Sequence, residues 1–167
     1  LPHRLRTQAE YLHQNPEIGC VGTQVVPFGE TGAGKNLRLP TTHAAIQQAL
    51  REGRHAIVHA SVMMRTEIVK KIGGYWPIRL VAEDYDLWLR MGRGNRKSGI
   101  YRIANTPNTS IQYTVRPGSA SQKRKIAIAW NVFFLTMTNL PYYPHPLQLI
   151  KAKWPVLKRL FKTLLAK

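Results

Sequence analysis

Asn15-Pro16-Glu17-Ile18-Gly19-Cys20-Val21-Gly22-Thr23-Gln24-Val25-Val26 carries a helix stop and a strand side by side. Proline cannot continue a helix, and the residue before it is pushed toward extended backbone. Upstream, Leu5, Ala9 and Leu12 recur at helical spacing, so Arg4 to Gln14 reads as the end of a helix with those three on one face. Ile18 to Val26 is rich in β-branched residues and reads as a strand. Working outward from this junction, strands and helices alternate along the chain.

Phe28 to Asn36 is a Gly-rich loop. Thr42 is placed to cap a second helix with Ala45, Ile46, Ala49 and Leu50 on its apolar side, ended by Gly53. Ala56 to Met64 reads as the next extended run. Thr66 and Glu67 open a short helix that stops at Gly73-Gly74. A further helix runs from Glu83 to about Met91, with Leu87 and Trp88 facing inward and Gly92 and Gly94 ending it. Gly99 to Ala104 and Thr109 to Val115 read as two strands, and Ser119 to Leu140 as a long helix. Pro141, Pro144 and Pro146 then form a linker. The closing segment places Leu147, Ile150, Trp154, Leu157, Phe161 and Leu164 at alternating spacings of 3 and 4, interrupted by Pro155. The expected class is α/β, a mixed sheet flanked by helices with a helical basic tail.

At 167 residues and 44% hydrophobic, the chain can build one ordinary core. Its net charge is +17, and the charge is unevenly placed. Residues 1–86 hold ten Lys and Arg and all eight acids, while residues 87–167 hold fifteen Lys and Arg and no acid. Such a field favours polyanions: a pyrophosphate-bearing ligand, anionic lipid or nucleic acid. No zinc-ligand spacing, RNP-type strand or distinct helix-turn-helix supports nucleic acid, which stays the minority partner. Cys20 is the single cysteine, which excludes a disulfide or a Cys-based zinc site within one chain. The apolar run Ile126–Met137 is shorter than the roughly 20 residues a membrane span needs. The chain opens at Leu1 without a signal-peptide core and reads as starting inside a longer protein.

Four places invite chemistry. Gly29-Glu30-Thr31-Gly32-Ala33-Gly34-Lys35-Asn36 nearly matches a phosphate-binding loop, but Asn36 lacks the hydroxyl that ligates magnesium, and Pro40 opposes the helix that should follow. A flexible hairpin fits better. Glu83-Asp84 sits in an otherwise basic chain. The pair either complements a helix N-terminus, for about 0.3–1 kcal/mol, or presents a carboxylate to take a proton from a hydroxyl. Gly73-Gly74 upstream lets backbone approach a ligand. His59 reads as a hydrogen-bonded structural residue in a half-buried strand. Tyr75 and Trp76 either stack on a sugar or simply pack. The basic C-terminal third is either a solvated face or an amphipathic helix on an anionic membrane, with Trp154 and Phe161 at the interface.

Several of these pieces stand in a recognisable order. Pro2-His3-Arg4-Leu5-x-x-Gln8 leads to Asn15-Pro16-Glu17-Ile18-Gly19-x-Val21-Gly22-Thr23. Then come His59-x-Ser61-Val62-Met63-x-Arg65, Gly73-Gly74-Tyr75 and Glu83-Asp84-x-Asp86-Leu87-Trp88-Leu89-Arg90. The ordered set resembles family 2 glycosyltransferases with the A-type nucleotide-sugar-binding fold, over roughly residues 1–121. Residues 122–167 form a separate helical, basic tail outside the resemblance.

The resemblance implies transfer of a sugar from a nucleotide-diphosphate donor to a carbohydrate or lipid-linked acceptor hydroxyl, with inversion at the anomeric carbon. It implies Asp84 as general base, Glu83 orienting it, and His59, Gly74 and Tyr75 lining the acceptor side. A divalent metal, magnesium or manganese, clamps the donor diphosphate in such enzymes. Their Asp-x-Asp metal segment lies just before the Pro-x-Arg-Leu helix. Here the first Asp is Asp84, so the nucleotide-binding half and the metal ligands are expected to be missing from this chain, which alone is expected to be inactive. Tyr113-Thr114-Val115-Arg116 replaces the family's Tyr-Arg-x-His, leaving Arg116 as a candidate phosphate contact. The implied setting is the cytoplasmic face of a bacterial membrane, in surface polysaccharide synthesis. Two rivals stand beside this reading. One is a non-catalytic basic module that binds anionic membrane or nucleic acid. The other is a degenerate transferase fragment, whose strands Ile18–Val26 and Ala56–Met64 would have lost neighbours.

Overall fold

The computed structural model describes residues 2–28, 38–76, 81–93, 101–114, 124–139 and 141. Along the chain run α1 (Arg4–Gln14), β1 (Ile18–Phe28), α2 (His43–Arg51), a 3-10 turn (His59–Ser61), β2 (Met63–Met64), α3 (Thr66–Lys71), α4 (Glu83–Arg93), β3 (Arg102–Thr114) and α5 (Lys125–Thr138). The sheet order is β2-β1-β3, with β1 antiparallel to β2 and parallel to β3. The class is α/β with a mixed sheet, as expected. β1 is the central strand, with neighbours on both sides, while β2 lies at an edge and pairs only with β1 among the described residues.

Alternation along the strands divides the core between two faces. Cys20 and Ile103 point to the larger cluster, with Ile46, Ala49 and Leu50 of α2, Leu87, Trp88, Leu89 and Met91 of α4, and Leu135 of α5. Val21 and Ala104, their next-door residues, point the other way and join Ile18 and Leu12 of α1. So α1 covers one face of the sheet, and α2 and α4 the other.

The predicted face of α1 is corrected. Leu5 is 66% exposed, and Gln8 and Leu12 are the buried pair. Gln8 goes inside because polar backbone awaits it there. Its Nε2 donates to Val21 O at 2.8 Å and Ser61 O at 2.9 Å, and its Oε1 accepts from Arg4 Nε at 2.8 Å. At the far end of α1, Arg65 Nε donates to Ile18 O at 3.0 Å and Arg65 Nη2 donates to Leu12 O.

Thr42 caps α2 as predicted, with Oγ1 accepting from Ala45 N at 3.4 Å. The extended run Ala56–Met64 shrinks to the two residues of β2, because the chain turns at His59–Ser61. The two predicted strands after α4 are one, β3. Its register slips against β1 from Thr23↔Thr106 to Gln24↔Thr109, which lets Pro107 and Asn108 bulge out, both exposed. Gln24 fills the slip, donating to Leu39 O at 3.2 Å and Thr106 O at 3.3 Å. Gly92 lies inside α4 rather than ending it: a Cβ there would meet Gln47 Nε2 at 1.9 Å. Its role is close approach of α2 and α4.

The Gly-rich loop 29–36, residues 94–100, the start of the long helix before Arg124, Arg116, and the tail from 142 lie outside the described residues.

Candidate functional site

Three short segments converge beside Trp88. The first is the 3-10 turn. Ser61, fully buried, accepts from Thr23 N at 3.3 Å and donates to Val58 O at 2.7 Å. Arg4 donates from Nη1 to Ala60 O at 3.2 Å and from Nη2 to Val62 O at 3.3 Å. With Gln8 on Ser61 O, these bonds pin the turn to α1 and β1. They leave His59 exposed at its tip, so the prediction of a half-buried strand position for His59 is corrected. Its ring lies edge-on to Trp88, with centroids 6.1 Å apart.

The second segment follows α3. Gly73 takes φ +85° and Gly74 φ +60°, conformations that glycine adopts without strain. Gly73 N bonds Lys70 O at 3.1 Å and Gly74 N bonds Val69 O at 2.8 Å, the paired closure of a Schellman motif. The chain then turns out through Tyr75 and Trp76, each 40% exposed. Tyr75 OH lies 2.7 Å from His59 Nε2.

The third segment is the start of α4. Ala82 has φ +62°, and the helix begins at Glu83 directly after it. A left-handed alanine costs on the order of 1–2 kcal/mol, and such outliers gather at functional sites. Asp84 Oδ1 accepts from Tyr85 N at 2.7 Å. Among the described residues, Asp84 Oδ2 and the Glu83 carboxylate have no hydrogen-bond partner, and both residues are half-buried. Burial raises the Tyr75 hydroxyl above its ordinary pKa, and the carboxylates of Asp84 and then Glu83 push the same way. The buried Cys20 thiol is itself pushed up and stays protonated, so its charge has no part in this. Tyr75 thus feels the charges of Asp84 and Glu83 and holds His59 through its hydroxyl. Gly74, directly before it, accepts from Arg90 through its carbonyl, while Arg116 lies outside the described residues.

Sequence reasoning assigned no role to the pair that joins the second segment to the third. Arg90 Nε meets Asp86 Oδ2 at 2.8 Å, with both side chains 5% exposed. The same guanidinium donates from Nη1 to Ile72 O at 2.6 Å and from Nη2 to Gly74 O at 2.7 Å. Its carbon stands 5.0 Å from the Trp76 ring centroid. The available signal was an Asp and an Arg four apart around Leu87, Trp88 and Leu89, which are core residues.

An open hollow of about 520 Å³ lies against His3, Arg4, Leu5 and Arg6, at the wall of which Arg4 reaches the backbone beside His59. Among the described residues, no group of three or more His, Cys, Asp or Glu is placed to hold a metal ion.

The chain is similar to proteins named as glycosyltransferases. Over 120 residues it is 34% identical to the amylovoran biosynthesis glycosyltransferase AmsE of Erwinia amylovora, covering 71% of this chain and 41% of that protein. Over 92 residues it is 35% identical to the O-antigen biosynthesis glycosyltransferase WbnJ of Escherichia coli, covering 54% of this chain and 35% of that one. An uncharacterized glycosyltransferase of Haemophilus influenzae is 28% identical over 142 residues, 81% of this chain and 49% of its own length. The chain is homologous to glycosyltransferases. It spans less than half the length of these curated relatives. No family model matches it, and no solved structure does.

For a glycosyltransferase relative, the chemistry of the cluster is apt. A carboxylate oxygen without a partner can take a proton, and a phenol and an imidazole can hold sugar hydroxyls.

Proposed function

We propose that this chain supplies the acceptor side of an inverting, family 2-like glycosyltransferase of A-type fold, working in bacterial surface polysaccharide synthesis. The observation that carries the reading is that His59 Nε2 lies 2.7 Å from Tyr75 OH, and both segments are tied, through Trp88 and Arg90, to the helix that opens with Glu83 and Asp84. The relatives named for amylovoran and O-antigen biosynthesis support the setting.

In this reading the acceptor hydroxyl gives its proton to Asp84 Oδ2. Its oxygen forms the new bond to the anomeric carbon of the donor sugar while the bond to the diphosphate oxygen breaks. The nucleoside diphosphate leaves with that electron pair, and the opposed geometry inverts the centre. Glu83, one residue earlier in the first turn of α4, orients the base. His59 and Tyr75 hold the acceptor. A divalent metal, magnesium or manganese, would take up charge on the diphosphate, but the described residues provide no ligand set for one, and none of these steps passes through it.

The site of action proposed is the cytoplasmic face of the membrane, with the basic half of the chain toward anionic lipid. The acid-free stretch 87–167 supports this. Among the described residues, no helix is long and apolar enough to cross a membrane.

The deciding experiment is Asp84→Asn in the intact protein. Turnover should fall by at least about 100-fold, the scale of general-base catalysis, while nucleotide-sugar binding stays nearly unchanged. Wild-type turnover in this variant removes Asp84 as the base.

A further inference from the structure

We propose that the indole of Trp76 is the stacking face for the acceptor's sugar ring, and that the buried Asp86–Arg90 pair is the strut that presents it. The inference rests on the transferase reading and adds to it a recognition element for the acceptor.

Trp76 is a large apolar ring left 40% exposed, immediately after the residue whose hydroxyl meets His59. A sugar ring has an apolar C–H face and a rim of hydroxyls. It therefore needs a flat aromatic surface with donors and acceptors around it. Next to Trp76 in the chain, the Tyr75 phenol meets the His59 imidazole at 2.7 Å and feels the charges of the Asp84 and Glu83 carboxylates.

An exposed indole would normally swing among rotamers and lose binding energy when ordered. Here it is held. The Arg90 guanidinium lies over the ring at 5.0 Å, and its nitrogens grip Asp86, Ile72 O and Gly74 O. One buried side chain therefore fixes the loop that carries Tyr75 and Trp76 to the helix that carries Asp84. Lysine keeps the charge but lacks the planar fork that reaches both carbonyls at once. Arg90 is thus a positioning residue, and Trp76 is the group that touches the ligand.

A competing account is that Trp76 only shields the ion pair from water. Under that account, replacing Trp76 lowers stability and leaves sugar binding alone.

The experiment titrates the chain with methyl glycosides of glucose, galactose and N-acetylglucosamine. Saturation-transfer NMR reads the sugar ring protons, and the indole N–H resonance of Trp76, assigned with Trp76→Phe, reads the protein. At least one glycoside should shift that resonance. Trp76→Ala should weaken its binding about tenfold, Trp76→Phe less, and Arg90→Lys about threefold in a folded protein. Circular dichroism and the thermal midpoint report folding of each variant. The proposal is overturned if no glycoside binds the wild type, or if folded Trp76→Ala binds as tightly.

Its fate separates from that of the transferase reading. Glycoside binding by the Trp76 variants reads the stacking face, and turnover of Asp84→Asn reads the base. If binding depends on Trp76 but Asp84→Asn turns over normally, the base assignment falls and the stacking face stands. If Trp76→Ala keeps glycoside affinity and acceptor KM while Asp84→Asn is dead, the stacking face falls and the transferase reading stands.

Discussion

His59 Nε2 stands 2.7 Å from the hydroxyl of Tyr75, joining the turn after α2 to the loop after α3. The His59 ring also lies edge-on to Trp88. Single replacements His59→Ala and Tyr75→Phe should each cost little, since both residues are exposed. Their double-mutant cycle should show a coupling of about 0.5–1.5 kcal/mol. Urea unfolding of the four proteins measures it, and strict additivity would mean the bond contributes nothing in solution.

The Asp86–Arg90 pair should be far costlier to break. Removing either partner leaves the other charge buried, so Asp86→Ala or Arg90→Ala should lose about 3–5 kcal/mol. Arg90→Ala also strands the carbonyls of Ile72 and Gly74. Replacing both residues with apolar ones of similar volume should recover part of the loss. The urea midpoint tests both statements.

Gly22 leaves no room for a side chain. A Cβ there would stand 2.2 Å from Asn105 Oδ1, and that amide is held by Nδ2 bonds to Pro40 O at 2.7 Å and Ala56 O at 2.8 Å. Gly22→Ala should destabilise by about 1–3 kcal/mol through overpacking. Thermal unfolding that leaves the midpoint unmoved would show that Asn105 can retreat.

Ala82 offers the opposite sign. Its φ of +62° is strained for alanine and free for glycine. Ala82→Gly should raise stability by roughly 1 kcal/mol, less the extra entropy glycine has when unfolded. A fall in the thermal midpoint would argue that the methyl group packs usefully against its neighbours.

His43 makes stability depend on pH. Its Nδ1 accepts from Ile103 N at 3.1 Å, which requires the neutral ring. Burial lowers its pKa first, and then the nearby charges of Arg102 and Arg51 lower it further. The unfolded chain therefore binds this proton more readily than the folded one. Its contribution is present above about pH 6.5 and declines as pH falls from there toward the folded-state pKa. His43→Asn, whose oxygen can replace Nδ1 as acceptor, should flatten that limb of the stability profile. An unchanged profile would point to other groups.

How far the chain could be read in advance differs by element. The helices and β1 follow from local signals, with Pro16 as a stop, Thr42 as a cap and Gly73-Gly74 as a turn, whereas the expected extended run Ala56–Met64 holds a 3-10 turn. The candidate site residues stood out as an ordered set of short motifs. What misled was burial. Leu5 looked like core and is exposed, whereas Gln8 looked like surface and is buried. Periodicity counts apolar residues, but Gln8 is inside because Val21 O and Ser61 O need a donor there. The runs Gly99–Ala104 and Thr109–Val115 read as two strands. A bulge opposite Gln24 keeps them as one.

Local sequence settled most helices and strands, though not the turn at His59–Ser61 or the continuity of β3. It also determined where the negative charge lies and which residues are candidates for acid–base work. Those are properties of neighbours along the chain, and backbone sterics and side-chain type decide them locally. Only the tertiary structure decided that His59 meets the hydroxyl of Tyr75. Only it turned Asp86 and Arg90 from a surface-like helical pair into a buried strut beneath Trp76. That outcome depends on carbonyls of Ile72 and Gly74 arriving from another segment, a long-range match that spacing along the chain does not encode.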